Sequence, residues 1–190
     1  MAKKKILLLS DDLRLSSGVG TMSKEIVFGT IHKYDWFQIG AAIEHPELGK
    51  CVDLSEQIKK DIRPDVEDPY LKILPFNGYG NQDVIREIMK HEKPDAIMIY
   101  TDPRFWDWLF HMEHEIRQNI PIFYYNIWDD LPYPMWNEPF YESVDLLMNI
   151  TKQTWNIVRN VRESVPVEDW QNTLVPHGIN EDVFFPIDKE

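Results

Sequence analysis

The sequence predicts a doubly wound α/β fold, in which a mostly parallel sheet carries helices on both faces. Residues 6–9 of the predicted strand 4–9 and the whole run 96–100 are apolar, as is typical of strands that are buried on both faces. Segments of helical period alternate with these and other short strand-like runs. The length of 190 residues suits one domain with one hydrophobic core.

Strands are expected where short apolar runs end at turn-forming residues. The first strand breaks at Ser10, and later turns are marked by Pro46, Gly49, Pro64 and Pro69. The expected strands span residues 4–9, 36–43, 51–54, 71–76, 96–100, 122–127, 146–150 and 173–175.

Helices are expected where apolar residues recur at helical spacing behind a capping residue. The spacing predicts helices over 22–31 and 83–91, and a further helix that Thr151 caps and that runs to residue 163. Asp102 suits an N-cap with Pro103 at the first helical position. Four apolar residues would share one face of the helix that follows: Phe105, Leu109, Met112 and Ile116.

Composition excludes several classes of protein. Hydrophobic residues make up 43% and charged residues 27%, which is typical of a folded domain rather than of a disordered chain. A net charge of −12 disfavours nucleic acid and anionic membrane surfaces as partners. No apolar run is long enough to span a membrane, so we expect a cytoplasmic protein. Cys51 has no cysteine partner and is expected to be a buried structural thiol.

Ligands of such sheets bind beyond the carboxyl ends of the strands. One polar segment there, Ser16 to Gly20, contains the residues Ser17-Gly18-Val19-Gly20, hereafter the glycine loop. Gly18 and Gly20 would let the backbone approach a diphosphate closely at a helix N-terminus. The alternative, with equal weight, is a turn that only starts the helix, with Ser16 or Ser17 as its N-cap.

Two adjacent carboxylates, Asp129 and Asp130, follow a predicted strand on a loop rich in aromatic residues and proline. One of them is expected to face the crevice, as a base, a metal ligand or a hydrogen-bond partner of sugar hydroxyls, and the other to be solvated. Trp128 is the aromatic residue favoured as a flat surface for a sugar ring, whereas its aromatic neighbours are expected mostly to pack in the core. Asp102 and Asn126 also follow strands.

The six histidines do not predict a metal site. Five of them fall on predicted helices or in loops away from the crevice: His32, His45, His91, His111 and His114. His111 and His114 are three residues apart on a helix but lack a third ligand nearby. His177 follows the last strand and is expected at the crevice.

The stretch 174–186, Leu-Val-Pro-His-Gly-Ile-Asn-Glu-Asp-Val-Phe-Phe-Pro, resembles the hinge phrase of retaining glycosyltransferases of the GT-B fold, in particular glycosyltransferase family 4. The glycine loop is similar to the N-terminal loop of that family, and residues 93–97, Lys-Pro-Asp-Ala-Ile, to its Lys-Pro-Asp strand start. Residues 128–132, Trp-Asp-Asp-Leu-Pro, resemble the acidic loop of one branch. The resemblance spans nearly the whole chain.

The resemblance implies a Rossmann-like N-terminal GT-B domain over residues 1–178, followed at 179–190 by the start of the link to a C-terminal domain. The complete enzyme would transfer a sugar from a nucleotide-sugar to an acceptor hydroxyl with retention, and the nucleotide-sugar would be a substrate rather than a cofactor. Asp129 would be the catalytic residue, Ser17, Gly18, Val19 and Gly20 would approach the donor phosphates, and Asp102, Asn126, Trp128 and Asp130 would bind the acceptor. No metal is expected.

The C-terminal domain of this family supplies basic residues and a pair of glutamates eight positions apart, a spacing that is missing here. We therefore expect the chain alone to be inactive and to need that domain in cis or in trans. A non-catalytic carbohydrate-binding or partner-docking domain is the alternative. A receiver-type signalling domain would use Asp11 and Asp12 for Mg²⁺, but Tyr100 stands where its phosphorylated aspartate would be expected.

Overall fold

The computed structural model describes residues 2–164, 167–181 and 184–187. Eight strands form one sheet in the order β3-β4-β2-β1-β5-β6-β7-β8, and every pairing is parallel except that of β3 with β4. The predicted doubly wound α/β class is confirmed. The strands are β1 Lys4–Asp11, β2 Tyr34–Ala41, β3 Val52–Asp53, β4 Leu71–Pro75, β5 Ala96–Tyr100, β6 Ile122–Asn126, β7 Leu146–Asn149 and β8 Asn172–Leu174.

Helical segments connect most of the strands. The α-helices are α1 Gly18–Thr30, α2 Ser55–Gln57, α3 Gln82–Glu92, α4 Asp107–Phe110, α5 Glu113–Arg117, α6 Glu138–Glu142 and α7 Lys152–Val161. A π-helical turn, Ile58–Ile62, extends α2, and 3₁₀ turns, Pro103–Trp106 and Met135–Asn137, precede α4 and α6. In the described part of the chain, no helix is both long enough and apolar enough to cross a membrane.

Two apolar layers cover the two faces of the sheet. Alternation along β1 sends Leu7 and Leu9 into one layer and Leu8 into the other. The layer at Leu8 contains Val27 of α1 and Ile31, the C-cap of that helix. The opposite layer receives the buried residues of α3, α4, α5 and α7. Because apolar residues of helices pack on both faces, β1 can be apolar from Ile6 to Leu9 and β5 along its whole length.

The predicted helix after Asp102 is correct in its start and wrong in its continuity. Asp102 is the N-cap and accepts a hydrogen bond from the Arg104 amide, with Pro103 in the first turn. The chain then forms a 3₁₀ turn, α4 and α5, with a break at Met112, whose φ and ψ are −114° and 13°. This path buries Trp106 completely and leaves Phe105, which was expected on the buried face, 46% exposed.

Cys51 is exposed, so the prediction of a buried structural thiol is wrong. The thiol lies just before β3, a two-residue strand at the edge of the sheet, where no further strand of the described residues pairs with it. The predicted link over 179–190 is only partly described. Asp182 and Val183 of the hinge-like phrase, and residues 188–190, lie outside the described residues.

Candidate functional site

The carboxyl ends of β1 and β5 define a crevice at the centre of the sheet. These two strands are neighbours, yet the chain continues from β1 toward β2 on one side and from β5 toward β6 on the other. The loops that follow them therefore separate at this point, which is where ligands bind in doubly wound sheets. The end of β1 brings Asp11 to the crevice, the loop after β1 leads to the glycine loop there, and the loop after β5 brings Asp102.

The glycine loop forms the first turn of α1. Ser17 is the N-cap, and its Oγ accepts a hydrogen bond of 3.0 Å from the Gly20 amide. A Cβ at Gly20 would lie 2.6 Å from the Leu15 carbonyl oxygen, whereas a Cβ at Gly18 would have no atom within 4 Å. Packing therefore requires glycine at position 20. This agrees with the alternative that the segment is a turn that starts the helix. The amides of Gly18 and Val19 are not used by this cap.

Asp11, the last residue of β1, and Asp12, the next residue, have different environments. The Asp12 side chain is fully buried and accepts hydrogen bonds of 2.9 and 2.8 Å from Nε and Nη2 of Arg14. Asp11 accepts from the Tyr79 hydroxyl at 3.3 Å and from Ser17 Oγ at 3.4 Å. Partial burial raises the pKa of Asp11, although both hydroxyl donors oppose the shift. Asp12 is therefore structural, and Asp11 is the carboxylate at the crevice.

Tyr79 and Phe105 form an aromatic wall beside Asp11. Their rings stack with centroids 4.3 Å apart and planes 16° from parallel. Burial, followed by the nearby charge of Asp11, raises the pKa of Tyr79 to about 12. Tyr79 therefore stays protonated at neutral pH and remains a hydrogen-bond donor.

Four of the residues predicted to bind substrate meet at a depression of about 250 Å³, hereafter the acidic cleft. Its lining residues are Asp102, Ile127, Trp128, Asp129 and Asp130. The two adjacent carboxylates are both exposed, rather than one facing inward. Two hydrogen bonds between side chains and backbone groups hold the loop here. Gln153 Nε2 donates to the Asp129 carbonyl, and Asp130 Oδ1 accepts from the Leu131 amide.

Arg104, which sequence reasoning missed, shapes the acidic cleft. Its guanidinium donates to both oxygens of Asp102 and lies with Cζ 5.1 Å from the ring centroid of Trp128. Trp136, 58% exposed, meets Trp128 edge-on at 6.2 Å. The sequence could have indicated this role, because Arg104 stands two residues after the capping residue Asp102. This spacing allows the arginine side chain to turn back onto the aspartate.

Asn126 does not line the acidic cleft. Its side chain is fully buried, with Oδ1 accepting from the Trp128 amide at 3.1 Å and Nδ2 donating to Asn149 Oδ1 at 3.2 Å. Asn149 Nδ2 in turn donates to Asn172 Oδ1 at 2.6 Å. This asparagine ladder of Asn126, Asn149 and Asn172 joins β6, β7 and β8 beneath the loop that carries the cleft.

His177 packs at the carboxyl end of the sheet, where the sequence places it. Its Nε2 lies 3.4 Å from the Tyr100 hydroxyl, and its ring contacts Tyr125 edge-on at 5.4 Å. Partial burial lowers the pKa of His177, so that the ring is neutral at physiological pH. Within residues 2–164, 167–181 and 184–187, no three His, Cys, Asp or Glu side chains are grouped so as to hold a metal ion.

No protein-family model and no curated protein matches the sequence. Among solved structures, the chain is similar to a crystal structure of Anabaena Alr3699/HepE in complex with UDP and glucose, with a TM-score of 0.57 and 11% sequence identity. The similarity covers 95% of this chain and 46% of that one. The present chain therefore spans about half the length of that protein, and the likeness is one of fold.

Proposed function

We propose that this chain is the N-terminal, acceptor-side half of a GT-B glycosyltransferase, in which residues 1–178 form the domain and residues 179–190 begin the link to a second domain. The observation that carries the proposal is the likeness of 95% of the chain to about half of a protein crystallised with UDP and glucose. A crevice at the topological switch point of the sheet agrees with ligand binding there.

The proposed reaction is transfer of a sugar from a nucleotide-sugar to an acceptor hydroxyl, with retained configuration and without a metal or other cofactor. Amides of the glycine loop at Gly18 and Val19 would stabilise the diphosphate leaving group at the positive end of α1. In the acidic cleft, Asp129 would orient the acceptor hydroxyl, while Asp102, Trp128 and Asp130 would hold the acceptor. Asn126 would act from beneath, through the Trp128 amide.

Charge explains why the second domain is needed in this proposal. The two arginines of the crevice, Arg14 and Arg104, are each bound to an aspartate, and the chain carries a net charge of −12. A diphosphate requires strong positive charge around it as the bond to the sugar breaks. We infer that the C-terminal domain, in cis or in trans, supplies this charge.

The test is a transfer assay on the chain joined to its C-terminal half, with release of nucleoside diphosphate as the readout. Asp129→Asn is expected to lower the turnover number about 100-fold or more, as removal of an orienting polar group at a reacting centre does. Asp107→Asn is the control, because Asp107 is exposed on α4 and pairs with His111 outside the acidic cleft. Full activity of Asp129→Asn would remove Asp129 from the proposed mechanism.

A partner-docking role without catalysis is the second candidate. The described part of the segment after β8 exposes large apolar side chains, with Ile179 74%, Phe184 66% and Ile187 84% accessible. Such side chains are typical of a surface that another protein covers. Titration calorimetry decides between the two: heat with nucleotide-sugar and chain alone favours a ligand-binding half, and heat only on adding the C-terminal partner favours docking.

A further inference from the structure

The half-buried carboxylates of this chain are generally paired with cations, and Asp11 departs from that pattern. Asp12 binds Arg14, Glu92 binds Lys5 at 2.8 Å, and Asp145 binds Arg117 at 3.0 Å. Asp11 makes no ion pair with any described residue, and its two donors are neutral hydroxyls. A partly desolvated carboxylate without a cation costs stability. A requirement other than folding would explain its position at the crevice.

The backbone and side chain of Asp11 are both held in place. Its carbonyl oxygen accepts from Gln38 Nε2 at 2.9 Å and from Ser10 Oγ at 2.9 Å. Its two carboxylate oxygens each accept from one hydroxyl, those of Ser17 and Tyr79. A carboxylate accepts about four hydrogen bonds. Asp11 thus keeps about two acceptor positions, in a fixed orientation, at the edge of the crevice.

We propose that Asp11 accepts a hydrogen bond from a sugar hydroxyl bound between the loops after β1 and β5, a role that rests on the function proposed above. The ligand group that fits is a neutral hydroxyl donor, because a carboxylate repels a phosphate and cannot donate to it. The hydroxyl belongs either to the sugar of the nucleotide-sugar or to the acceptor. Asp11 is a binding and positioning residue in both cases, and the aromatic wall of Tyr79 and Phe105 bounds the same space.

The experiment measures binding of glucose, UDP and UDP-glucose to the full chain by ligand-observed NMR titration. Asp11→Asn removes the charge and keeps the shape, and it is expected to weaken glucose binding about 10- to 100-fold, the effect of losing a hydrogen bond to a charged group. UDP binding is expected to stay the same or to tighten, because a negative charge beside the first turn of α1 has been removed. Asp107→Asn is the matched control and is expected to bind all three ligands as the wild type does.

The two sources of the hydroxyl are separated by UDP-glucose. If Asp11 holds the donor sugar, Asp11→Asn abolishes the advantage of UDP-glucose over UDP. If it holds the acceptor, that advantage remains and only glucose, added in the presence of UDP, binds more weakly. Tyr79→Phe, which removes one donor to Asp11 and keeps the charge, is expected to weaken glucose binding less than Asp11→Asn does.

Several results would overturn the assignment. The first is that Asp11→Asn binds both glucose and UDP-glucose as tightly as the wild type does. The second is that Asp11→Asn loses affinity for UDP and for glucose by the same factor. The third is that the wild type binds UDP but shows no saturable glucose binding up to about 100 mM, a range that covers even weak sugar sites. Glucose binding that depends on Asp11 in a chain that binds no nucleotide would instead keep the role of Asp11 and contradict the nucleotide-sugar part of the proposed function. Circular dichroism of each variant confirms folding.

Discussion

Alanine substitutions at the two glycines of the glycine loop are expected to change stability in opposite directions. Both glycines lie in the first turn of α1, and their backbone has the helical conformation that alanine prefers. A Cβ at Gly18 would point into open space. A Cβ at Gly20 would lie 2.6 Å from the Leu15 carbonyl oxygen and 2.9 Å from that of Asp12. Since both obstacles are backbone atoms, no side-chain rotation can relieve the contact.

The expected size follows from two opposing contributions. Alanine in place of glycine in a helix gains about 0.5–1 kcal/mol, because the unfolded chain loses less conformational freedom. Gly18→Ala receives this gain alone. Overpacking against a fixed neighbour costs about 1–3 kcal/mol, which outweighs the gain at Gly20. We expect the two variants to differ by about 2 kcal/mol, or by about 4–8 °C in melting temperature for a chain of this size.

Urea unfolding followed by tryptophan fluorescence measures the difference, and thermal melts by circular dichroism provide a second value. The slope of the urea transition should be the same in both variants and the wild type, so that the midpoint reports stability. A Gly20→Ala variant as stable as Gly18→Ala would refute the packing argument. If UDP binds the loop as proposed, Gly18→Ala should weaken UDP binding while it raises stability, because the added methyl group crowds the exposed approach to the amides.

Three further predictions concern the rest of the chain. Burial would raise the pKa of Glu92, but hydrogen bonds from Lys5 and Tyr70 outweigh burial and lower this pKa. The contribution of Glu92 to the free energy of unfolding is therefore present above its pKa in the unfolded chain and is lost as pH falls through its pKa in the folded chain. Glu92→Gln should therefore lose about 1–3 kcal/mol at pH 7 and little near pH 3, and equal losses at both pH values in urea titrations would contradict this. Cys51→Ser should cost less than about 0.5 kcal/mol, and the wild-type thiol should react with a maleimide in the folded protein. The reaction should become faster as pH rises, because the thiolate is the nucleophile, and partial burial, which raises the pKa of Cys51, should move that increase to higher pH. Protection of the thiol until unfolding would count against its exposure. Asn126→Ala should lower the free energy of unfolding by about 2–4 kcal/mol, since it leaves buried amide partners unpaired, and an unchanged thermal midpoint would show that the asparagine ladder is not stabilising.

The parts of the fold that depend on local pattern were predictable. The apolar runs of β1 and β5, the cap at Asp102 and the position of each loop after its strand all follow from residues close together in sequence. Asp102, Trp128, Asp129 and Asp130 meet at the acidic cleft because carboxyl ends of parallel strands share one edge. Their roles in binding stay predictions.

The parts that depend on distant contacts were not predictable. Whether Phe105 or Trp106 turns inward depends on where the helical segment breaks, and both fit an apolar face in sequence. The exposure of Cys51 depends on the antiparallel pairing that places β3 at the sheet edge. Asp11 and Asp12 look equivalent in sequence, and distant contacts distinguish them, with Arg14 bound to Asp12 and the Tyr79 hydroxyl to Asp11.

The asparagine ladder runs in a single direction. The Trp128 amide donates to Asn126, Asn126 to Asn149 and Asn149 to Asn172, so every carboxamide points its oxygen toward the cleft and its nitrogen toward the edge of the sheet. Turning over one carboxamide would set oxygen against oxygen on one side and nitrogen against nitrogen on the other. Reversing all three together would not restore the pairing either, because Asn126 Nδ2 would then face the Trp128 amide, which can only donate. The Trp128 amide at the cleft therefore fixes the direction of every carboxamide as far as β8, where the chain leaves the sheet.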